Sequence, residues 1–182
     1  MERTCECGCG KSMAIRRPHA RFYSPSCRVR AHRAAEAIPE RMRKADRWMR
    51  WTLAGRNGKT TKRPLTIEGR SASSTDPATW TAYAAASRST VGNGIGFALG
   101  EGIGCYDLDD ALSDGTLADW AREFIESIPE PVIFSEVSQS GNGVHIFIEA
   151  TEGPGRVIRD GRKIERYTAG RYIAVTGVRL TL

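Results

Sequence analysis

Short apolar runs, broken by glycine, proline and polar turns, dominate the chain beyond residue 45. Before that point the pattern is different. Cys27 to Arg50 reads as helical, with Ala31, Ala34, Ala35 and Ala37 set among arginines, and Pro39 splits it by removing a hydrogen bond and crowding the preceding turn. Trp48 to Leu53 then alternates as a strand does, and Arg56-Asn57-Gly58-Lys59 is turn chemistry, followed by Lys62-Arg63-Pro64. Thr75-Asp76-Pro77 is a helix start, with a capping oxygen and a proline at the first position, and predicts a helix through Trp80 and Tyr83 towards Ser87. Gly94 to Leu99 and Ile103 to Leu108 predict a hairpin around Gly100-Glu101-Gly102. Leu117, Trp120, Ala121, Phe124, Ile125 and Ile128 recur at helical spacing, so 117–128 predicts a helix lying on a sheet. Val132 to Val137 and Val144 to Glu149 read as strands joined by Ser138 to Gly143. Lys163 to Tyr167 and Arg171 to Thr176 read as a final pair around Ala169-Gly170. Hairpins interleaved with two helices predict an α+β fold, a sheet covered by helices on one face.

Composition adds a division. The 182 residues are 40% hydrophobic and 26% charged, enough for a real core, and suit one domain with a small appendage: a basic Cys-rich segment over 1–45 and a main domain over 46–182. Apolar runs such as Ile95 to Leu99 and Val144 to Ile148 fall far short of the roughly 18 residues a membrane span needs. The opening MERTCECGCG has no apolar block, so no secretory signal is visible, and a cytoplasmic protein with no membrane partner is expected. Residues 1–63 carry 17 Lys and Arg against 5 Asp and Glu, whereas 64–182 carry 10 against 16. A basic front on an acidic back predicts a polyanion-binding segment joined to a carboxylate-bearing site. Cys5, Cys7, Cys9 and Cys27 all fall in the front, and reduced clustered thiols point to structural zinc rather than disulfides. His19 or His32 could replace one sulfur. The competing picture is a disordered basic tail with idle thiols.

Asp107-Leu108-Asp109 is the most informative short motif. Side chains two apart on a strand share a face, so both carboxylates can serve one divalent cation, whose charge offsets their repulsion. Alone, the pattern is more often an acidic turn. Its company is what gives it weight: Ser140-Gly-Asn-Gly-Val-His145 places a histidine just inside a strand after a glycine turn, and Lys163-Ile164-Glu165 adds a carboxylate on another. Glycines at such a turn let main-chain amides approach a phosphate. Cys105, two before Asp107, reads as a small core residue.

This ordered series resembles the archaeo-eukaryotic primase superfamily, in particular the bifunctional primase-polymerase domains of phages and plasmids. The resemblance spans about 46–182 and is carried by Asp107-Leu-Asp109, Ser140 to His145 and Ile164-Glu165. Lys62-Arg63-Pro64, Gly94-Ile-Gly96, Arg171-Tyr172 and Val175-Thr-Gly177 agree with it. The cysteines together with Cys27-Arg-x-Arg-Ala-His-Arg33 look like the zinc knuckles fused to some phage versions, although Tyr23 stands where a further cysteine is expected. The resemblance implies an RNA-recognition-motif-like catalytic sheet with a small αβ unit, and template-directed nucleotidyl transfer with Mg²⁺ or Mn²⁺. Asp107, Asp109 and Glu165 would hold the metal. His145, Ser140, Gly141, Gly143 and Arg171 would hold a nucleoside triphosphate, and Lys62 and Arg63 would contact single-stranded DNA template. No helicase segment follows, which implies a near-minimal catalytic core and a separate replicative helicase. Two other functions fit the same residues: a metal-dependent nuclease, and a non-catalytic, zinc-assisted DNA-binding replication factor.

Overall fold

A computed structural model of the chain describes residues 5, 7, 11–56, 59–158 and 161–180. Cys9 and the Asn57-Gly58 turn lie outside the described residues. In chain order the elements are α1 (Pro25–Ala37), α2 (Glu40–Lys44), β1 (Trp48–Arg56), β2 (Lys59–Leu65), α3 (Tyr83–Arg88), β3 (Gly94–Ala98) and β4 (Ile103–Asp109). There follow β5 (Leu112–Ser113), β6 (Thr116–Leu117), α4 (Asp119–Glu126), β7 (Val132–Val137), β8 (Val144–Glu149), β9 (Arg156–Ile158), β10 (Lys163–Tyr167) and β11 (Tyr172–Val175). The fold is α+β, and every described strand pairing is antiparallel.

The strands sort into a four-stranded sheet, ordered β11-β3-β1-β2, a five-stranded sheet, ordered β7-β8-β4-β10-β9, and the small β5-β6 ribbon. Two sequence expectations change here. β3 and β4 do not form a hairpin. Gly100, Glu101 and Gly102 all take positive φ, and this tight turn carries the chain from one sheet into the other. Likewise β10 and β11 are not a pair, because β10 lies beside β4 and β11 beside β3. A period-two pattern tells which face a residue takes but not which strand it meets.

The helix expected from Pro77 to Ser87 is broken. Asp76 caps a single 3₁₀ turn over Pro77–Thr79, Trp80 is extended, and Thr81 forms a bridge with Trp48 before α3 begins at Tyr83. The bridge costs the helix its middle but gives Trp48 both main-chain partners at Thr81. The helix predicted over 117–128 occupies 119–126.

Nor is one face of a sheet left open. On one side of the five-stranded sheet Leu108, Ile146, Ile148 and Ile164 pack with Ala121 and Ile125 of α4. On the other, Cys105, Phe134 and Phe147 share a core with Trp48, Phe97, Ile173 and Val175 of the four-stranded sheet and with Ile38 and Met42. Each large apolar side chain fully buried there contributes about 1.5–3 kcal/mol. After β11 the chain crosses back: Glu136 bridges Arg179, and the Val137 and Leu180 amides bond Val178 and Ser135 carbonyls, so the last residues line the β7 edge. A third, separate cluster buries Cys5, Cys7, Met13 and Cys27 with Phe22, Tyr23 and Ala31 around it.

Candidate functional site

The sheet register lines up four chemistry-bearing residues. Glu136 of β7 pairs with His145 of β8, His145 with Asp107 of β4, and Asp107 with Glu165 of β10. Directly paired residues of an antiparallel sheet share a face, so the four side chains form one rung. Two residues along the strands, on the same face, the rung reads Phe134, Phe147, Cys105 and Tyr167. The apolar rung closes the core between the sheets, and the polar rung sits at its rim. Cys105 is fully buried, and burial pushes its thiol well above the ordinary value, with the Asp107 and Glu136 charges adding to the rise. It is a small packed core residue, as expected from the sequence.

Asp107 is half-buried and Asp109 exposed beyond it. Partial burial raises the Asp109 carboxyl above its ordinary 3.8, and the charges of Asp107, Asp110 and Glu165 raise it further, against Lys163. Asp107, Asp109, Asp110 and Glu165 crowd this edge, offset in part by Lys163 and Arg171. Glu165 accepts a 2.9 Å hydrogen bond from the Tyr167 hydroxyl, which in turn accepts one of 2.9 Å from Arg171, whose guanidinium also stands 3.8 Å from Glu165. The guanidinium lies over the Tyr167 ring at 4.5 Å. Arg171 therefore reaches the rung through Tyr167 and Glu165.

His145 is 3% exposed. Its Nε2 faces Asp107 at 3.7 Å, and its Nδ1 lies 2.9 Å from Glu136, a carboxylate with no exposure at all. Sequence reasoning passed over both Glu136 and Tyr167. The signals were present: Glu136 occupies an inward position of an apolar strand, and Tyr167 lies two residues from Glu165 on one face.

The Ser140 to Gly143 turn is knotted to itself. The Gly141 amide donates to the Ser138 carbonyl at 3.0 Å and the Gly143 amide to the Ser138 hydroxyl at 3.2 Å, so these two donors are used inside the turn. Ser140 is exposed and bonds Ser138 and Asn142, and Asn142 reaches Asp110 at 3.1 Å. Lys62 and Arg63 lie on β2, in the other sheet, with neighbouring positions on opposite faces. Lys62 stands 5.8 Å over the Trp51 ring and Arg63 is exposed. No described contact joins either residue to the rung.

Among the described residues, one group brings three potential metal-ligand atoms within 4.8 Å of one another: Cys5, Cys7 and Cys27. Tetrahedral Zn–S bonds of 2.3 Å imply sulfurs about 3.8 Å apart, which this spacing admits. Burial raises the Cys5 thiol, against hydrogen bonds from the Cys7 and Tyr23 main chain. His32 instead pairs with Glu36 at 3.3 Å, and His19 is exposed; neither joins the group. Asp107, Asp109 and Glu165 share a face without drawing their oxygens that close together. Among the described residues, no helix is long and apolar enough to cross a membrane.

No protein-family model matches the chain. Over 144 aligned residues it is 31% identical to a DNA primase-polymerase of Nitratiruptor phage NrS-1, the match covering 72% of this chain and 19% of that much longer protein. The chain is thus similar, over most of its own length, to about one fifth of a phage DNA primase-polymerase.

Proposed function

We propose that the chain is a DNA primase-polymerase core that joins nucleotides on a single-stranded template by a metal-dependent mechanism. The observation that carries this reading is the rung of His145, Asp107 and Glu165, with Asp109 beside it, in a chain similar to a phage primase-polymerase. The sheet order supports an RNA-recognition-motif-like catalytic unit. β4, α4 and β7 form a βαβ unit split by β8, and β10 flanks β4 on the other side.

Asp107, Asp109 and Glu165 offer hard oxygen donors on one face, with a charge excess that a divalent cation would relieve, and they fit Mg²⁺ or Mn²⁺. When bound, such ions activate an attacking hydroxyl and stabilise a departing pyrophosphate. The protein's own groups position the substrate. His145 directs Nε2 towards the triphosphate, Arg171 swings from its loose contact with Glu165 to grip a phosphate bidentately, and the exposed Ser140 hydroxyl lies at the mouth of the same strand pair. The N-terminal segment, with structural zinc on Cys5, Cys7 and Cys27, supplies the template contacts. A cleft of about 330 Å³ there is lined by Arg16, Arg17, Arg21, Tyr23 and Arg28. Lys62 and Arg63 on β2 offer two further cations to the template. A separate helicase would open the duplex.

The test is primer synthesis from labelled nucleotides on single-stranded DNA with Mg²⁺ or Mn²⁺. Wild type should make products only with triphosphates present, and the Asp107→Ala, Asp109→Ala double variant should make none while remaining folded. Degradation of the template without nucleotide would identify a nuclease instead. DNA binding with no synthesis, unchanged in the double variant, would identify a non-catalytic factor.

A further inference from the structure

Two cations flank Glu165 along the chain. Arg171 follows it and reaches it through Tyr167. Lys163 precedes it and pairs with Asp109 across β10 and β4. Directly paired residues share a face, and so do residues two apart on a strand, so Lys163 lies on the face of Asp107, Asp109 and Glu165. Arg166, by contrast, lies on the opposite face and is taken up by Glu130 at 2.7 Å. Lys163 holds a nearby anion too. Its ammonium donates to Asp110 Oδ2 at 2.5 Å, and the other Asp110 oxygen accepts from the Asn142 side chain at 3.1 Å.

Both members of this ion pair are open to solvent, their side chains 67% and 58% exposed. A pair so exposed adds little stability, so Lys163 can leave Asp110 for another anion at small cost. Metal loading gives it reason to. Once a divalent cation is held by Asp107, Asp109 and Glu165, their attraction for Lys163 is spent on an ion that Lys163 itself repels. A triphosphate restores the balance. We propose that Lys163 is a nucleotide-binding residue that exchanges Asp110 for a phosphate of the incoming triphosphate, and so makes metal and nucleotide bind cooperatively. Each ligand then strengthens the other by the same factor, as linkage requires. The substrate here rests on the nucleotidyl-transfer reading; the charge effects on metal do not.

Lys163→Met and Lys163→Arg are the informative variants, and both should fold because the side chain is exposed. Two titrations are read on each at one ionic strength. The first uses Mn²⁺ alone, followed by its paramagnetic resonance signal. The second uses α,β-imido deoxyadenosine triphosphate at saturating Mn²⁺, an analogue that binds but transfers nothing. In Lys163→Met the two affinities should move in opposite directions. Mn²⁺ alone should bind roughly two- to five-fold more tightly, since a neighbouring exposed cation has gone. The analogue should bind roughly ten-fold more weakly, for one lost charge-assisted bond. Lys163→Arg should stay close to wild type in both, because it keeps the charge. Asp110→Asn should tighten the analogue in wild type, and do so less in the Lys163→Met background, because the competing anion acts through the ammonium.

A lysine with a merely structural role would move both affinities the same way, or neither. Unchanged analogue affinity in Lys163→Met, or a loss of both affinities together, would therefore overturn the proposal even if wild type makes primers. An equal gain from Asp110→Asn in both backgrounds would overturn the exchange of partners. Opposite shifts in a protein that makes no product on a template would instead refute the polymerase reading and leave the Lys163 site standing.

Discussion

Asp109 shows how the rung's charge is balanced at the residue level. Burial and three neighbouring carboxylates raise its pKa in the folded chain above the ordinary 3.8 that applies once the chain unfolds. The folded state therefore holds its proton to higher pH, and stability falls as pH climbs from the ordinary value through the raised one, with the whole penalty present above it. Replacing the charge should remove that penalty. In EDTA at pH 7, Asp109→Asn is expected to melt slightly above wild type, and the difference should narrow as pH falls towards 3.8. Saturating Mn²⁺ should reverse the order, because a cation bound to the folded state alone stabilises wild type and the variant has lost a ligand. Equal melting temperatures in EDTA across this range would remove charge repulsion from the account of the site. Asp107, Asp109, Glu165 and His145 were legible from their order along the chain. Glu136 was not, since a glutamate in a strand is ordinarily solvated and only the register shows that it stands behind His145.

Among the elements, the β7–β8 turn carries the most consequence, because it sets where β8 begins and so where His145 stands. Its two central glycines do different jobs. A Cβ at Gly143 would come within 2.9 Å of both the Leu108 carbonyl and the Ser138 hydroxyl, so Gly143 is required by the close approach of β8 to β4. Gly141 has open space around it and is required only by its φ of +86°. Gly143→Ala should then push apart the strands that hold His145 and Asp107, costing about 1–3 kcal/mol in urea denaturation and a large share of nucleotide affinity. Gly141→Ala should cost about 1–2 kcal/mol for the left-handed backbone, with affinity much less affected. Similar nucleotide affinities in the two variants would mean that the β8–β4 approach does not position the histidine. The strands themselves were readable from alternation and turn residues. Their partners were not: Gly100-Glu101-Gly102 has the length and residues of a hairpin loop, yet it joins two sheets. Asp76-Pro77 was a true helix start, but Thr81 pairing with Trp48 ended that helix after one turn.

On the scale of the whole molecule, the first cysteines and the carboxylate rung belong to different cores. Met13, Cys5, Cys7 and Cys27 cluster apart from the core between the sheets, while α1 ties the two regions together, with Ala34 on Gly177 and Ile38 in the main core. A cluster so small, with few large apolar side chains, has little hydrophobic energy to hold it, so a metal crosslink would matter there. Protein purified under reducing conditions is expected to carry about one zinc per chain. Stripping it with a chelator should loosen the segment around Tyr23, whose ring has Lys11 and Arg16 at 4.8 and 4.3 Å. Single-strand binding should weaken, and its salt dependence should fall with it. Each phosphate contact adds about 0.7 to the slope of log affinity against log salt, so losing contacts from Arg16, Arg17, Arg21 and Arg28 should lower that slope by roughly 3. Mn²⁺ binding at the Asp107 rung should be unaffected, because that rung belongs to the other core. A zinc-free protein with the same template affinity and salt slope would mean that Cys5, Cys7 and Cys27 pack as small apolar side chains, and that the arginines find the template without a metal to organise them.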